Sequence, residues 1–94
     1  MPVKYLPSAQ PDLVWFSEYY TWNFPEGGRR AADAVRAAEA LLNLQPFAGP
    51  PLDEPDGLRI LRIKRTPFSL IYRVSLDSIE IVRVWDTRQQ QVGF

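Results

Sequence analysis

Residues 68–74 read FSLIYRV, and this stretch decides the fold. Phe68, Leu70, Tyr72 and Val74 alternate with Ser69, Ile71 and Arg73. Successive side chains on a strand point to opposite faces, so this pattern predicts a strand with one apolar face turned to a core. Just upstream, Thr66–Pro67 supplies a turn, and behind it Leu58–Lys64 is strand-like. Its alternation slips between Ile60 and Leu61, which predicts a bulge or burial on two sides. Downstream, Leu76–Ser78 forms a tight turn and Ile79–Trp85 is the last strand. Two hairpins in series make an antiparallel meander.

Before the meander lies PFAGPPLDEPDG, Pro46–Gly57, with four prolines and two glycines. Such a segment is an irregular surface connector. Further back, Ala31, Val35, Ala38 and Leu42 recur at helical spacing, with Leu41 widening the stripe, which predicts a helix over Arg29–Leu44. An earlier helix starts after Ser8, placed as an N-cap, with Pro11 and Asp12 suited to its first turn. Leu13, Phe16 and Tyr20 form one apolar stripe on it, and Trp15, Tyr19 and Trp22 form a second. Two stripes call for two covers, the sheet and the neighbouring helix. Pro25 stops this helix and Gly27–Gly28 turn the chain, while Val3–Leu6 is a short β-prone opening. The expected fold is α+β in the order β-α-α-β-β-β, an N-terminal helical hairpin packed on a small, mainly antiparallel sheet. At 94 residues, one domain over 1–94 is expected.

Composition excludes several chemistries. There is no cysteine, hence no disulfide framework or thiolate metal site. There is no histidine, which removes the commonest general base and metal ligand, so no metal and no cofactor is expected. The first ten residues hold no apolar core of signal-peptide length, and no segment reaches the roughly 20 apolar residues of a membrane span, so a soluble cytoplasmic protein is the default. Net charge is zero, which argues against bulk nucleic-acid binding. The charge is unevenly spread. From Arg59 to Arg88 there are seven Lys/Arg against Asp77, Glu80 and Asp86, so the C-terminal third is basic and the remainder acidic.

Several residues admit a plain structural reading. The aromatics of the first helix suit a core, with Trp22, near the helix end, the best candidate for exposure. Tyr72 alternates with Phe68 and Leu70 and should be core with its hydroxyl at the rim. Arg59, Arg62, Lys64 and Arg65 suit a solvated strand face that protects a sheet edge. Arg83 suits either an outward strand position or a basic patch with Arg62. Asp53, Glu54 and Asp56 mimic a paired-carboxylate site, but nothing in their proline-rich loop orients them. Asp86 and Arg88, two apart, can hold each other in a turn.

Taken together, the chain resembles the RelE/ParE superfamily of bacterial type II toxins. The resemblance covers Val3 to about Gln90 and rests on motifs in order. These are the Ser8, Ala9, Asp12, Leu13 entry to a helix containing Tyr19–Tyr20; the Leu41, Leu44, Pro46, Gly49 helix exit; Gly57-Leu58-Arg59; FSLIYRV with Tyr72; and IVRVWDTRQ with Arg88 after the last strand. The resemblance implies a growth-inhibiting toxin encoded beside an antitoxin that wraps and neutralises it. ParE-like members are understood to inhibit DNA gyrase. RelE-like members cut mRNA on the ribosome with scattered Lys, Arg and Tyr side chains and no metal.

Position by position, the nuclease pattern is broken. Ser69 stands where RelE carries a strand arginine, Phe94 where it carries a tyrosine, and Ile60 where it carries a lysine. Arg62 and Lys64 are plausible matches and Arg88 is a match. The resemblance is therefore closer to the ParE-like branch, a binding inhibitor and not an enzyme, and the ending WDTRQ agrees. The implied target-binding set is Arg59, Arg62, Arg65, Arg83 and Arg88, and the implied antitoxin-binding set is Trp15, Tyr19 and Trp22. As a nuclease, the rival reading, it would use Arg62, Lys64, Arg83 and Arg88. A third reading is an interaction module of the same fold without toxicity. Implied partners are the antitoxin and gyrase, or the ribosome and mRNA in the rival reading, with a homodimer or a toxin–antitoxin heterotetramer as the assembly.

Overall fold

The computed structural model describes residues 1–53 and 57–88. Strand β1 (Val3–Tyr5) leads through a 3-10 turn (Pro7–Ala9) into helix α1 (Gln10–Glu18), which widens into a π-helical turn (Tyr19–Asn23). A 3-10 turn (Pro25–Gly27) opens helix α2 (Gly28–Leu44), and strands β2 (Arg59–Arg62), β3 (Phe68–Val74) and β4 (Ile79–Asp86) follow. The expected α+β order holds. The sheet runs β1-β4-β3-β2. β2, β3 and β4 are antiparallel neighbours, and β1 joins β4 in parallel with Val3 opposite Ile79.

The alternation of FSLIYRV is what builds the core. Phe68, Leu70 and Tyr72 face the helices and join Ile79, Ile81 and Val84 of β4 with Tyr20, Ala31, Ala38 and Leu42. Ile71 points to the other face, where Leu58 and Trp85 pack with it beneath Leu52 of the connector. The slip at Ile60 and Leu61 is therefore burial on two sides. Ile60 lies on the Ile71 face and Leu61 packs on the helix-side core. The bulge falls elsewhere. Ile71 pairs with Arg83 but Tyr72 with Ile81, so Val82 is the extra residue, and β4 changes its facing there.

The helical layer differs from expectation in three places. Ser8 does not cap α1; its hydroxyl donates to the Val82 carbonyl at 2.7 Å, and α1 starts after Ala9 without a side-chain cap. The second stripe on the first helix is covered only at Tyr19, which packs on the core; Trp15 is 42% exposed, and Trp22, singled out for exposure, is 77% exposed. Leu41 is exposed, leaving Ala31, Ala38 and Leu42 as the buried line of α2. The helices thus meet through one shared core above the sheet and not by a second apolar seam.

The connector is tied down more firmly than its composition suggests. Ile60 N–H donates to the Pro50 carbonyl at 3.0 Å and Leu52 N–H to the Leu58 carbonyl at 2.8 Å, which closes the outer edge of β2. Tyr72 is buried, and its hydroxyl is not at a rim. It accepts from Gly49 N–H and donates to the Pro46 carbonyl, both at 2.9 Å. Only glycine fits at 49, because a Cβ there would lie 2.5 Å from the Ile60 carbonyl oxygen. Tyr72→Phe is expected to cost about 1–3 kcal/mol, because two buried backbone groups lose their partner. Urea unfolding measures this, and a cost below about 0.5 kcal/mol would contradict it.

Candidate functional site

Beyond Tyr5 no strand among the described residues lies beside the edge of β4, and groups from Leu6, the 3-10 turn and the start of α1 complete its ladder. Leu6 N–H reaches the Ile81 carbonyl, Ser8 reaches the Val82 carbonyl, and Val84 N–H donates to Asp12 at 2.9 Å. Asp12 also takes a forked pair from Arg83, Nε at 2.7 Å and Nη2 at 3.0 Å. Arg83 is thereby drawn toward α1, with its guanidinium 5.3 Å from the Trp85 ring centre.

One turn further along α1, a second fork forms at the end of β4. Thr87 is anchored through its N–H and its hydroxyl, each 2.7 Å from the Pro67 carbonyl. That anchor turns Arg88 back onto Asp86. Asp86 accepts from Arg88 N at 3.0 Å, Nε at 2.9 Å and Nη2 at 2.7 Å, and from the Trp15 indole N–H at 3.4 Å. Arg88 lies 4.6 Å over the Tyr19 ring centre, a cation–π contact. The Asp86 side chain is 5% exposed, whereas Arg88 keeps 50% of its surface. The hydrogen bonds from Arg88 hold the Asp86 carboxyl below the usual carboxylate range, and Asp86 in turn raises the Arg88 guanidinium above its ordinary value. Both are charged at every physiological pH. Asp86 and Arg88 do hold each other in a turn, as their spacing allowed.

The predicted cations are not gathered into one patch. Arg59 bonds the Phe47 and Gly49 carbonyls and lies over the Phe47 ring, so it fastens the connector. Arg62 and Lys64 line a groove with Ala34, Ala37 and Leu41 of α2. Arg65 sits in the β2–β3 turn at φ 62°, in the left-handed region. Arg62, Lys64 and Arg65 make no ion pair among the described residues. Arg83 faces Asp12, so it does not join Arg62 in a basic patch. Trp15 and Tyr19 surround the Arg88 fork, and Trp22 stands exposed at the end of the same helix. Ser69 is buried. Glu54, Asp56 and Phe94 lie outside the described residues. Among the described residues no cluster of carboxylates could hold a metal ion, and no helix is long and apolar enough to cross a membrane.

Sequence reasoning missed Asp12, whose partners Arg83 and Val84 lie more than 70 positions away. It also missed Tyr19 as the platform under Arg88. Nothing local marks either. Between α1 and α2 a cleft of about 250 Å³, lined by Leu13, Phe16, Val35 and Leu70, opens above the sheet. Tyr5 at its wall donates to Glu39 at 2.6 Å, and burial followed by that bond pushes its hydroxyl pKa upward.

A two-helix layer on a mixed four-stranded sheet, with an arginine clamped after the last strand, defines a small α+β domain of the RelE/ParE type. The family of the ParE toxin of the type II toxin–antitoxin system parDE matches residues 3–91, and the chain belongs to that family. Among solved structures it is similar to the chromosomal ParDE toxin–antitoxin system from P. aeruginosa. The two are 30% identical over 89% of this chain and 92% of that one, with a TM-score of 0.70. No curated protein matches the chain.

Proposed function

We propose that this ParE-type toxin arrests growth by binding DNA gyrase, with Arg88 as its principal contact, and that it does not cleave mRNA. One observation carries the choice. The cations a metal-free nuclease would need together are divided. Arg62 and Lys64 lie beside α2, Arg83 and Arg88 beside α1, and the latter two are already bound by carboxylates. Charge stabilisation of a reacting phosphate needs donors converging on one point with unspent charge. A binding surface has no such requirement. The remaining target contacts in this reading are Arg62 and Arg65, which carry no ion pair among the described residues, while Arg59 and Arg83 shape the surface from behind.

The antitoxin covers the outer aromatic side of α1, Trp15, Tyr19 and Trp22, and the neighbouring cleft. Exposed tryptophans on a small domain are strong anchors for a partner. The complex forms in the cytoplasm.

The test is pulse-labelling of DNA and protein synthesis after inducing the toxin alone, beside Arg88→Ala. DNA synthesis is expected to fail first. Arg88→Ala should weaken gyrase inhibition by about 10–100-fold, the size of one charge-assisted hydrogen bond. Immediate collapse of protein synthesis would instead establish the nuclease.

A further inference from the structure

Arg88 is the residue on which the proposed function rests, and the structure surrounds it in an unusual way for a nucleic-acid contact. Its Nε and Nη2 are both spent on Asp86, and Tyr19 covers one face of its guanidinium. The pair carries no net charge. A phosphate could use Arg88 fully only by displacing Asp86, which would strand a carboxylate that is 5% exposed. The attraction of arginine for phosphate comes largely from released counterions, and a neutralised arginine releases few. A fixed acceptor on a folded protein asks for less. It can bond the exposed outer edge of the guanidinium while the Asp86 fork stays closed, and it finds that edge already oriented.

We propose that Asp86 is a specificity-determining and positioning residue. It locks Arg88 against Tyr19 and cancels its charge, so that Arg88 recognises a carbonyl on a protein surface and is withheld from nucleic-acid phosphate. This deepens the reading of Arg88 as the target contact and rests on it. Trp15 belongs to the same device, because its indole N–H holds the Asp86 oxygen that Arg88 Nη2 uses. The zero net charge of the chain fits a toxin that must work beside DNA without adhering to it.

The experiment compares the full-length wild type with Asp86→Asn, Arg88→Ala and Asp86→Asn/Arg88→Ala. Each is measured for retention on duplex DNA across a salt series and for inhibition of gyrase supercoiling. Asp86→Asn keeps the shape and one acceptor oxygen, but loses the charge and the second acceptor, and so frees the cation. It is expected to gain DNA binding, steepening the salt dependence by about one phosphate contact, a slope change of roughly 0.9. It is expected to lose about 10-fold in gyrase inhibition. The double variant should return DNA binding to the wild-type level. A variant that merely folds poorly would lose both activities, so the opposite signs separate positioning from damage. DNA binding by Asp86→Asn equal to wild type would overturn the proposal, as would full gyrase inhibition by Asp86→Asn. Lack of inhibition by the wild type itself would instead refute the gyrase reading, while the DNA comparison still decides whether Asp86 screens Arg88.

Discussion

Phe68→Ala is expected to destabilise the protein by about 3–5 kcal/mol. Phe68 is fully buried at the start of β3. Its ring centre lies 4.8 Å from Phe16, 5.7 Å from Tyr19 and 6.4 Å from Tyr20. Removing the ring opens a void among three other rings, which stacking against one another holds apart, so the site cannot collapse well. The loss is a large part of the roughly 5–15 kcal/mol expected for a whole domain. In a chain of this size it corresponds to a fall in Tm of more than about 12 °C. Thermal unfolding followed by circular dichroism measures it, and a fall below about 5 °C would show that the aromatic cluster repacks. Tyr19 should also lose its seating, so the folded fraction of Phe68→Ala should inhibit less well than wild type.

Asp12→Ala ranks next, with an expected cost of about 3 kcal/mol. The change orphans Val84 N–H in the strand ladder and leaves Arg83, whose side chain is two-thirds buried, without its fork. Asp12→Asn keeps an acceptor for Val84 and should cost about half as much. The double variant Asp12→Ala/Arg83→Ala should cost less than the sum of the single changes, because the stranded cation is gone. Glu80→Ala is the matched control. Its pair with Arg73 is solvent-facing and should contribute under about 1 kcal/mol. Urea titration of the set decides, and equal costs for Asp12→Ala and Glu80→Ala would refute the role given to Asp12.

The difference between these two carboxylates could not be read from the chain. Glu80 faces Arg73 across one hairpin, a local relation that strand alternation supplies. Asp12 meets Arg83 only because β1 is short and the start of α1 fills the vacated edge of β4. The strands were legible because the helix-side positions Phe68, Leu70 and Tyr72 write a period of two into β3, although β3 is buried on both faces, with Ser69 buried and Ile71 in the second core. The bulge at Val82 was not, since an extra residue on β4 leaves its apolar run unbroken. The π-helical turn over Tyr19–Asn23 was equally silent. That turn carries Tyr20 inward while Trp22 stays in solvent, as its place near the helix end suggested. Ser8 was misread for a related reason. A serine before a helix can bond the helix or a passing carbonyl, and here the Val82 carbonyl took it. The site was legible in part. The turn pairing of Asp86 with Arg88 came from their spacing and the weight on Arg88 from the family resemblance, while the place of Trp15 and Tyr19 as walls around Arg88 needed the third dimension.

The parallel pairing of β1 with β4 has a consequence for the timing of the toxin's birth. Val3 finds its partner Ile79 only when nearly the whole chain has been synthesised. Until β4 emerges from the ribosome, β1 has no neighbour, β3 lacks its second one, and neither Asp12 nor Trp15 has a carboxylate or cation to meet. Helices α1 and α2 therefore wait, unsupported, on a surface that does not yet exist. A nascent chain of this topology lacks its finished surface through most of its translation, and that surface is complete only after the final strand is made. An antitoxin partner has that interval in which to be ready.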